Sequence, residues 1–302
     1  MRLLILSRNG ELYSTRSLFL AARRRSHFVR VVDHLHCDIM VSNDHLDICY
    51  EGQSLSGYDA LIPRIGHTAT KMGASVILQF ENMGFATTLD SRALLKARDK
   101  LTCLQILSSQ GVPIPKTLIM NNIRQLQNFH HRIDDFPKIL KLQSGTHGLG
   151  VLKADDAKSL ETLVETFASM RHKTLIQEFV KESSGIDIRA FVVDGEVVAS
   201  MMRTAQEGEF RSNLHRGGLG QPVILSERER HVAVASAEIL GLKVAGVDML
   251  RAESGPKVIE VNASPGLEGI ETYTKVDVAK SIIKFVERQV KSADYAGYVD
   301  HR

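Results

Sequence analysis

Apolar positions change period several times along this chain, and each change marks an element. "RLLIL" at 2–6 is a continuous apolar run, helical spacing follows over about 14–26, and a second run occupies 29–33. That succession predicts an α/β unit, to which "YDALIPRIG" at 58–66 adds another buried strand ending in a loop. The period becomes helical over about 91–109, closed by Gly111 and followed by Pro113 and Pro115, which marks a boundary. A second module reads as strand 138–142, a glycine loop, strand 150–152, helix 155–171 and strand 174–180. "DIRAFVVDGEVVASMMR" opens a third, two strands joined by Asp194-Gly195, a strong hairpin signal. A helix over 226–240, two apolar runs around "AESGP" and a helix over 277–291 complete it. The expected domains are 1–90, 91–180 and 181–302.

The two runs around "AESGP" are each broken by acids. "VAGVDMLR" carries Asp248, and "KVIEVNASPGLEGIE" carries Glu260 and Asn262. A hairpin centred on Ser254 pairs 248 with 260. Strand alternation then sets Asp248, Glu260 and Asn262 on one face, with Ile259 and Val261 pointing the other way. Three oxygen-bearing side chains repel one another unless a cation sits among them, and hard oxygen ligands without Cys or His select magnesium or manganese. The plain alternative is a hairpin whose polar face is merely wet.

Composition narrows the setting. The 302 residues are 43% hydrophobic and 24% charged, as in ordinary globular proteins, and a net charge of +3 leaves no strong nucleic-acid footprint. No apolar run reaches the length of a membrane span, and "MRLLILSRNG" turns polar too soon for a signal peptide. Cys37, Cys49 and Cys103 are scattered and match no metal-ligand spacing, which suits a reducing cytoplasm. The basic run at 23–25 reads as a solvated helix face. Arg203, Arg211 and Arg216 are of more interest because "EGEFRSNLHRGG" surrounds two of them with glycines and an Asn. Ser7, Arg8, Arg64 and Gly66 follow predicted strands, where ligands of open α/β sheets lie.

Two further segments bear chemistry. "KLQSGTHGLGV" has glycines at 145, 148 and 150 between strands, a flap able to bring backbone amides to a triphosphate, with Lys141 as a phosphate partner. A simple hairpin turn is the alternative. "TLIQEFVKESSGID" places an apolar strand at a domain crossing, where free backbone groups suit a purine edge. Asp187 and Arg189 share a face of the next strand and are placed either to pair with each other or to touch the ligand.

Taken in order, "KLQSGTHGLGV", "QEFV", "DIRAFVV", "GEFRSNLHRGG", "VAGVDML" and "EVNASPGLEGIE" resemble the ATP-grasp ligases, specifically the RimK family, which adds L-glutamate to the C-terminus of the sixth small-subunit ribosomal protein. The resemblance runs from the first strand to the last helix. It implies an α/β ATP-grasp fold behind an N-terminal open α/β pre-grasp domain, with ATP and two Mg2+ (or Mn2+) as cofactors. It also implies that Lys100 and Lys141 hold phosphates, that Gln177, Glu178, Phe179 and Val180 form the adenine strand, and that Asp187, Arg211, Ser212 and Asn213 contact nucleotide. Asp248, Glu260 and Asn262 become the metal ligands.

The implied reaction is attack of an acceptor carboxylate on the γ-phosphate, followed by displacement of phosphate by the amine of glutamate. Arg203 and Arg211 are then candidates to stabilise the acyl phosphate, and Arg64 to meet the acceptor. Such chemistry needs positioning and charge neutralisation more than a protein nucleophile. The expected partners are ATP, L-glutamate and a ribosomal protein C-terminus, without nucleic acid or membrane, and the chain is expected to form a dimer or tetramer. His147, Thr204 and Gln206 depart from the family pattern, and Thr204 and Gln206, at positions often basic in the family, imply a weaker hold on a long anionic glutamate tail. A ligase for another acceptor, such as an amino-group carrier protein or poly-glutamate, and a non-catalytic nucleotide-binding regulator are the competing readings.

Overall fold

The computed structural model describes residues 1–119, 126, 132–133, 135–143, 150–170, 173–214 and 217–299, with side chains to 292. The first apolar runs form a parallel sheet. β1 (Arg2–Leu6) lies between β2 (Phe28–Val32) and β6 (Ala60–Pro63), and β7 (Ala86–Thr87) completes the order β2-β1-β6-β7. Leu3 to Leu6 are all fully buried, as a central parallel strand covered on both faces requires. α1 (Tyr13–Arg24) and α2 (Thr70–Asn82) serve this sheet, and an antiparallel ribbon of β3 (Cys37–Val41), β4 (Leu46–Tyr50) and β5 (Gln53–Ser54), which the pattern did not announce, lies between its strands in sequence.

The single helix expected over 91–109 is two. α3 (Ser91–Arg98) stops at Asp99, whose extended backbone (φ −90°, ψ 106°) caps α4 (Lys100–Ser109) by accepting from Thr102 N at 2.8 Å. The apolar spacing continues across the break because both helices face one core.

Next comes a four-stranded antiparallel sheet, ordered β10 (Val151–Ala154), β9 (Lys138–Leu142), β11 (Thr174–Glu178), β8 (Thr117–Ile119). α5 (Ala157–Ser169), started by an Asp156/Ser159 capping box, packs on it. Leu140, Leu160, Val164 and Ile176 make it a small core of its own.

The C-terminal sheet has five antiparallel strands. β12 (Ile186–Val193) and β13 (Glu196–Thr204) turn through Asp194-Gly195, both at positive φ, and β14 (Leu219–Pro222) lies beyond β13. On the other side β15 (Val244–Ala252) and β16 (Gly255–Asn262) complete the order β14-β13-β12-β15-β16. α6 (Glu227–Leu240) begins on a Ser226/Glu229 capping box and ends at left-handed Gly241; α7 (Glu268–Thr274) and α8 (Val278–Val299) follow.

The faces of this sheet share cores with the parallel sheet. Leu4 and Leu6 pack in one cluster with Ile188 and Val247, and Leu3 and Ile5 in another with Phe191 and Ile283. The first and last modules are therefore joined by apolar packing, while the middle sheet stands on its own core. Among the described residues no helix is long and apolar enough to cross a membrane.

Candidate active site

The hairpin of β15 and β16 pairs Asp248 with Glu260 and Gly246 with Asn262, although its turn is not centred on Ser254. Ala252 pairs with Gly255, which would set 248 against 259, and a bulge beside Asp248 adds the residue that brings Glu260 opposite. The bulge also reverses the expectation for Ile259. Val258 and Val261 are buried in the core, while Ile259 and Glu260 both line the cleft.

That cleft lies between the four-stranded and five-stranded sheets and encloses about 1110 Å³, part of it open to solvent. The predicted residues Lys100, Lys141, Gln177, Glu178, Phe179, Val180, Asp187, Arg203, Arg211, Ser212, Asn213, Asp248 and Glu260 all line it. Asn262 does not; its Nδ2 donates to Gly246 O at 3.5 Å. Arg64 also lies outside the cleft, bonded to Pro265 O at 2.6 Å. Arg216 and the flap tip with Gly145, His147 and Gly148 lie outside the described residues.

Asp187 and Arg189 do not pair with each other. Each reaches its cross-strand partner, so an ion-pair ladder crosses three strands. Arg203 on β13 grips Asp187 on β12 through Nε (2.5 Å) and Nη2 (2.7 Å). Arg189 on β12 grips Asp248 on β15 through Nε and Nη2, both 2.7 Å. Arg203 Nη2 also approaches Asp248 Oδ2 at 3.0 Å. Arg203 is thus no surface residue, being 3% exposed. Burial opposes its charge, yet Asp248 and Asp187 hold its pKa above the usual range. Burial likewise opposes ionisation of Asp248, and the two arginines overcome it, holding the carboxyl below its usual range. The repulsion expected among the acids of the hairpin is therefore relieved in part by arginines.

Two lysines face this ladder. Lys141 on β9 is brought down to about 8, chiefly by burial, with Lys100 adding like-charge repulsion and Glu260, Asp248 and Asp187 opposing the fall. Lys100, the first residue of α4, donates to Leu142 O at 3.2 Å, and burial lowers it too. A bound anion would oppose the effect of burial and raise both lysine pKa values again.

At the other end of the cleft Gln177 Nε2 donates to Thr117 Oγ1 at 2.7 Å, and Glu178 is bound by Lys257, a partner with no signal in the sequence. Glu209 was missed as well. Its carboxylate takes Arg211 Nε (3.0 Å) and Nη2 (2.6 Å), and that bond is the main reason it stays charged down to about 2. Arg211 Nη1 reaches Val151 O at 3.2 Å, which ties the third module to the flap strand.

A divalent cation is compatible with these residues. Glu260 accepts no hydrogen bond from any described residue and faces the cleft beside Asp248. Asn262 lies outside the lining, and its amide oxygen would have to turn to the cleft to complete an all-oxygen donor set of the kind that suits magnesium or manganese. Among the described residues no three His, Cys, Asp or Glu side chains cluster as a metal site, so an ion here would also draw on Asn262 or on ligand oxygens.

Comparison with known proteins covers nearly the whole chain. A RimK-like ATP-grasp domain model matches residues 97–286 and a RimK PreATP-grasp domain model residues 1–94. A probable alpha-L-glutamate ligase of Thioalkalivibrio sulfidiphilus is 48% identical over 291 residues, 96% of this chain and 97% of the relative. The similarly described protein of Cellvibrio japonicus matches at the same 48% and the same coverage. Among solved structures, the ATP-grasp ligase PsnB complexed with minimal precursor, Mg and ADP superposes with a TM-score of 0.74 at 21% identity, covering 96% of this chain and 97% of that one. D-alanine--D-alanine ligase from Bacillus anthracis superposes with a TM-score of 0.67 at 16% identity, covering 98% and 99%. At such identities the structural likeness shows the ATP-grasp fold.

Proposed function

The chain belongs to the RimK family of ATP-grasp ligases, and from that premise we propose that it joins L-glutamate, at the expense of ATP, to the C-terminal carboxylate of the sixth small-subunit ribosomal protein. It is an ATP-dependent carboxylate–amine ligase. The observation that carries the reading is the convergence on one cleft of Lys100, Lys141, Asp187, Arg203, Asp248 and Glu260, with Arg189 bonded to Asp248 outside the lining.

The acceptor carboxylate attacks the γ-phosphorus, ADP leaves, and the amine of glutamate then attacks the acyl carbon and expels phosphate. Lys141 and Lys100 neutralise phosphate charge at the floor of the cleft. Gln177, Glu178, Phe179 and Val180 border the adenine, and Asp187, Arg211, Ser212 and Asn213 complete the nucleotide's surroundings. Arg203, fixed by two carboxylates, presents a positive charge that does not have to reorganise as the acyl phosphate forms. Asp248, Glu260 and Asn262 would hold one or two magnesium ions, which when bound neutralise charge on the phosphates.

Intact-mass analysis of the ribosomal protein after incubation with enzyme, ATP, magnesium and glutamate tests the acceptor. Mass steps of one glutamyl residue support it. Glutamate-dependent ADP release without modification of that protein would move the activity to another acceptor.

Lys141 adds a pH signature. Its pKa of about 8 in the free protein lies below the ordinary lysine value, so the fold favours its neutral form. A bound triphosphate favours the charged form. Nucleotide affinity should therefore hold steady below that pKa and fall as pH rises through it, with proton uptake on binding. Lys141→Ala should lose about 1.5 to 3 kcal/mol of ATP affinity together with the pH dependence. Calorimetry giving wild-type affinity and an unchanged pH profile for the variant would remove Lys141 from the phosphate site.

A further inference from the structure

Where the parallel sheet meets the loop after β16, two guanidiniums lie close together. Arg64 stands at the carboxyl end of β6 and donates through Nη2 to Pro265 O at 2.6 Å. Arg98, the last residue of α3, donates through Nη2 to Ile65 O at 2.5 Å. Arg98 is thus tied to the residue that follows Arg64, and Arg64 to the residue that follows Ser264. Among the described residues neither forms a salt bridge.

Two neighbouring donors are also unused. Arg98 Nε and the hydroxyl of Ser264, the residue before Pro265, are both shut off from solvent and have no hydrogen-bond partner. Burial brings Arg64 down to about 10, with the charge of Arg98 adding to the fall. Burial lowers Arg98 too, opposed by Glu260, which sets this cluster beside the cleft. Glu260 offsets only part of the cost of holding two like charges and two idle donors here, and an anion between them offsets more of it. Arg64, Arg98 and Ser264 each keep part of their surface exposed while Arg98 Nε and Ser264 Oγ themselves are covered, so a carboxylate reaches those two donors only as the side chains over them shift. The position, beyond the carboxyl end of a parallel strand, is where such sheets meet their ligands.

We propose that Arg64, Arg98 and Ser264 form a subsite for a substrate carboxylate on the N-terminal side of Glu260. The planar forks of the two arginines suit its oxygens, and the Ser264 hydroxyl supplies a third donor. The proposal rests on the reading above, in which the acceptor C-terminus and glutamate both bring a carboxylate of the same chemistry.

Calorimetry on the full chain saturated with a non-hydrolysable ATP analogue tests it with three probes: glutarate, L-glutamate, and a short peptide with a free C-terminus compared with its amide. Arg64→Ala and Arg98→Ala should each weaken glutarate and one of the other two ligands by about tenfold or more, leaving the affinity for the analogue unchanged. Arg98→Lys should recover part of the loss. If the peptide is affected, the subsite holds the acceptor; if glutamate, the incoming amino acid. Ser264→Ala should weaken the same ligand a few-fold and removes no charge, which keeps the test open should an arginine variant fail to fold. Equal binding to wild type and variants, or no carboxylate binding to wild type, overturns the subsite. Arg98-dependent glutarate binding in a protein without glutamate-dependent ADP release would uphold the subsite and reject the glutamate reaction.

Discussion

Asn in place of Asp248 should abolish turnover and also destabilise the protein, whereas Gln in place of Glu260 should abolish turnover alone. The two acids face each other across the hairpin, but their surroundings differ. Asp248 is 2% exposed and balances both Arg189 and Arg203. Its amide replacement leaves buried guanidiniums short of charge, a loss of about 3 to 5 kcal/mol for a broken buried pair. Glu260 accepts no hydrogen bond from a described residue and supports Lys141, Lys100 and Arg98 only through its charge, so an isosteric amide removes a ligand charge without breaking a bonded pair.

Thermal melts and glutamate-dependent ADP release separate the two outcomes. The pH dependence of the melts adds a check. The carboxyl of Asp248 is held below its ordinary range, so its share of stability is present above the unfolded value, roughly pH 3.9, and is lost as pH falls through the depressed native one. The gap between wild type and Asp248→Asn should persist at neutral pH and close only in strong acid. A wild-type melting temperature for Asp248→Asn would mean that the ladder carries no stability, and normal turnover in Glu260→Gln would remove that residue from the metal set.

Arg203→Ala should be comparably severe. Asp187 has no other ion-pair partner among the described residues, and both of its oxygens are taken by this one guanidinium. Removal strands a buried carboxylate, again about 3 to 5 kcal/mol. Lysine restores the charge but cannot bond Asp187 twice and reach Asp248 as well, so Arg203→Lys should recover part of the stability. Because the folded lysine variant keeps most of the cleft, it isolates the chemistry. Its turnover should fall well below wild type while ATP affinity changes little, the pattern of a charge that acts on the reacting phosphate. Full turnover in Arg203→Lys would confine Arg203 to holding the sheet together and move acyl-phosphate stabilisation to Arg189 or Arg211.

Much of this site was legible as residues and little of it as partnerships. Apolar alternation located the hairpins, and single acids or lysines set in apolar strands stood out at Lys141, Asp187, Asp248 and Glu260. A charged side chain in a buried strand is expensive without a purpose, and that cost is visible in one dimension. Which groups meet is not. Asp187 and Arg189 share a face two residues apart, yet that spacing is about 6.6 Å along a strand, longer than the roughly 5 Å between cross-strand neighbours. Strand order therefore sent Arg189 to Asp248 and Arg203 to Asp187. The pairing of Asp248 with Glu260 came from a bulge that symmetry about Ser254 did not contain, and the same bulge turned Ile259 toward the cleft.

Glu209 and Lys257 had no local signature, since each matters only through the residue it meets, Arg211 in one case and Glu178 in the other. Nor did the convergence of Arg64, Arg98 and Ser264, which come from three separate segments of the chain. By itself the sequence determined where the long buried strands and several of the helices run, though not the β3–β5 ribbon or the break at Asp99, and which charged side chains the core had to accommodate, because periodicity and burial are properties of one segment at a time. Register, ion-pair partners and the groups left without one were decided only when the sheets packed, because each depends on the geometry between segments that are remote in the chain.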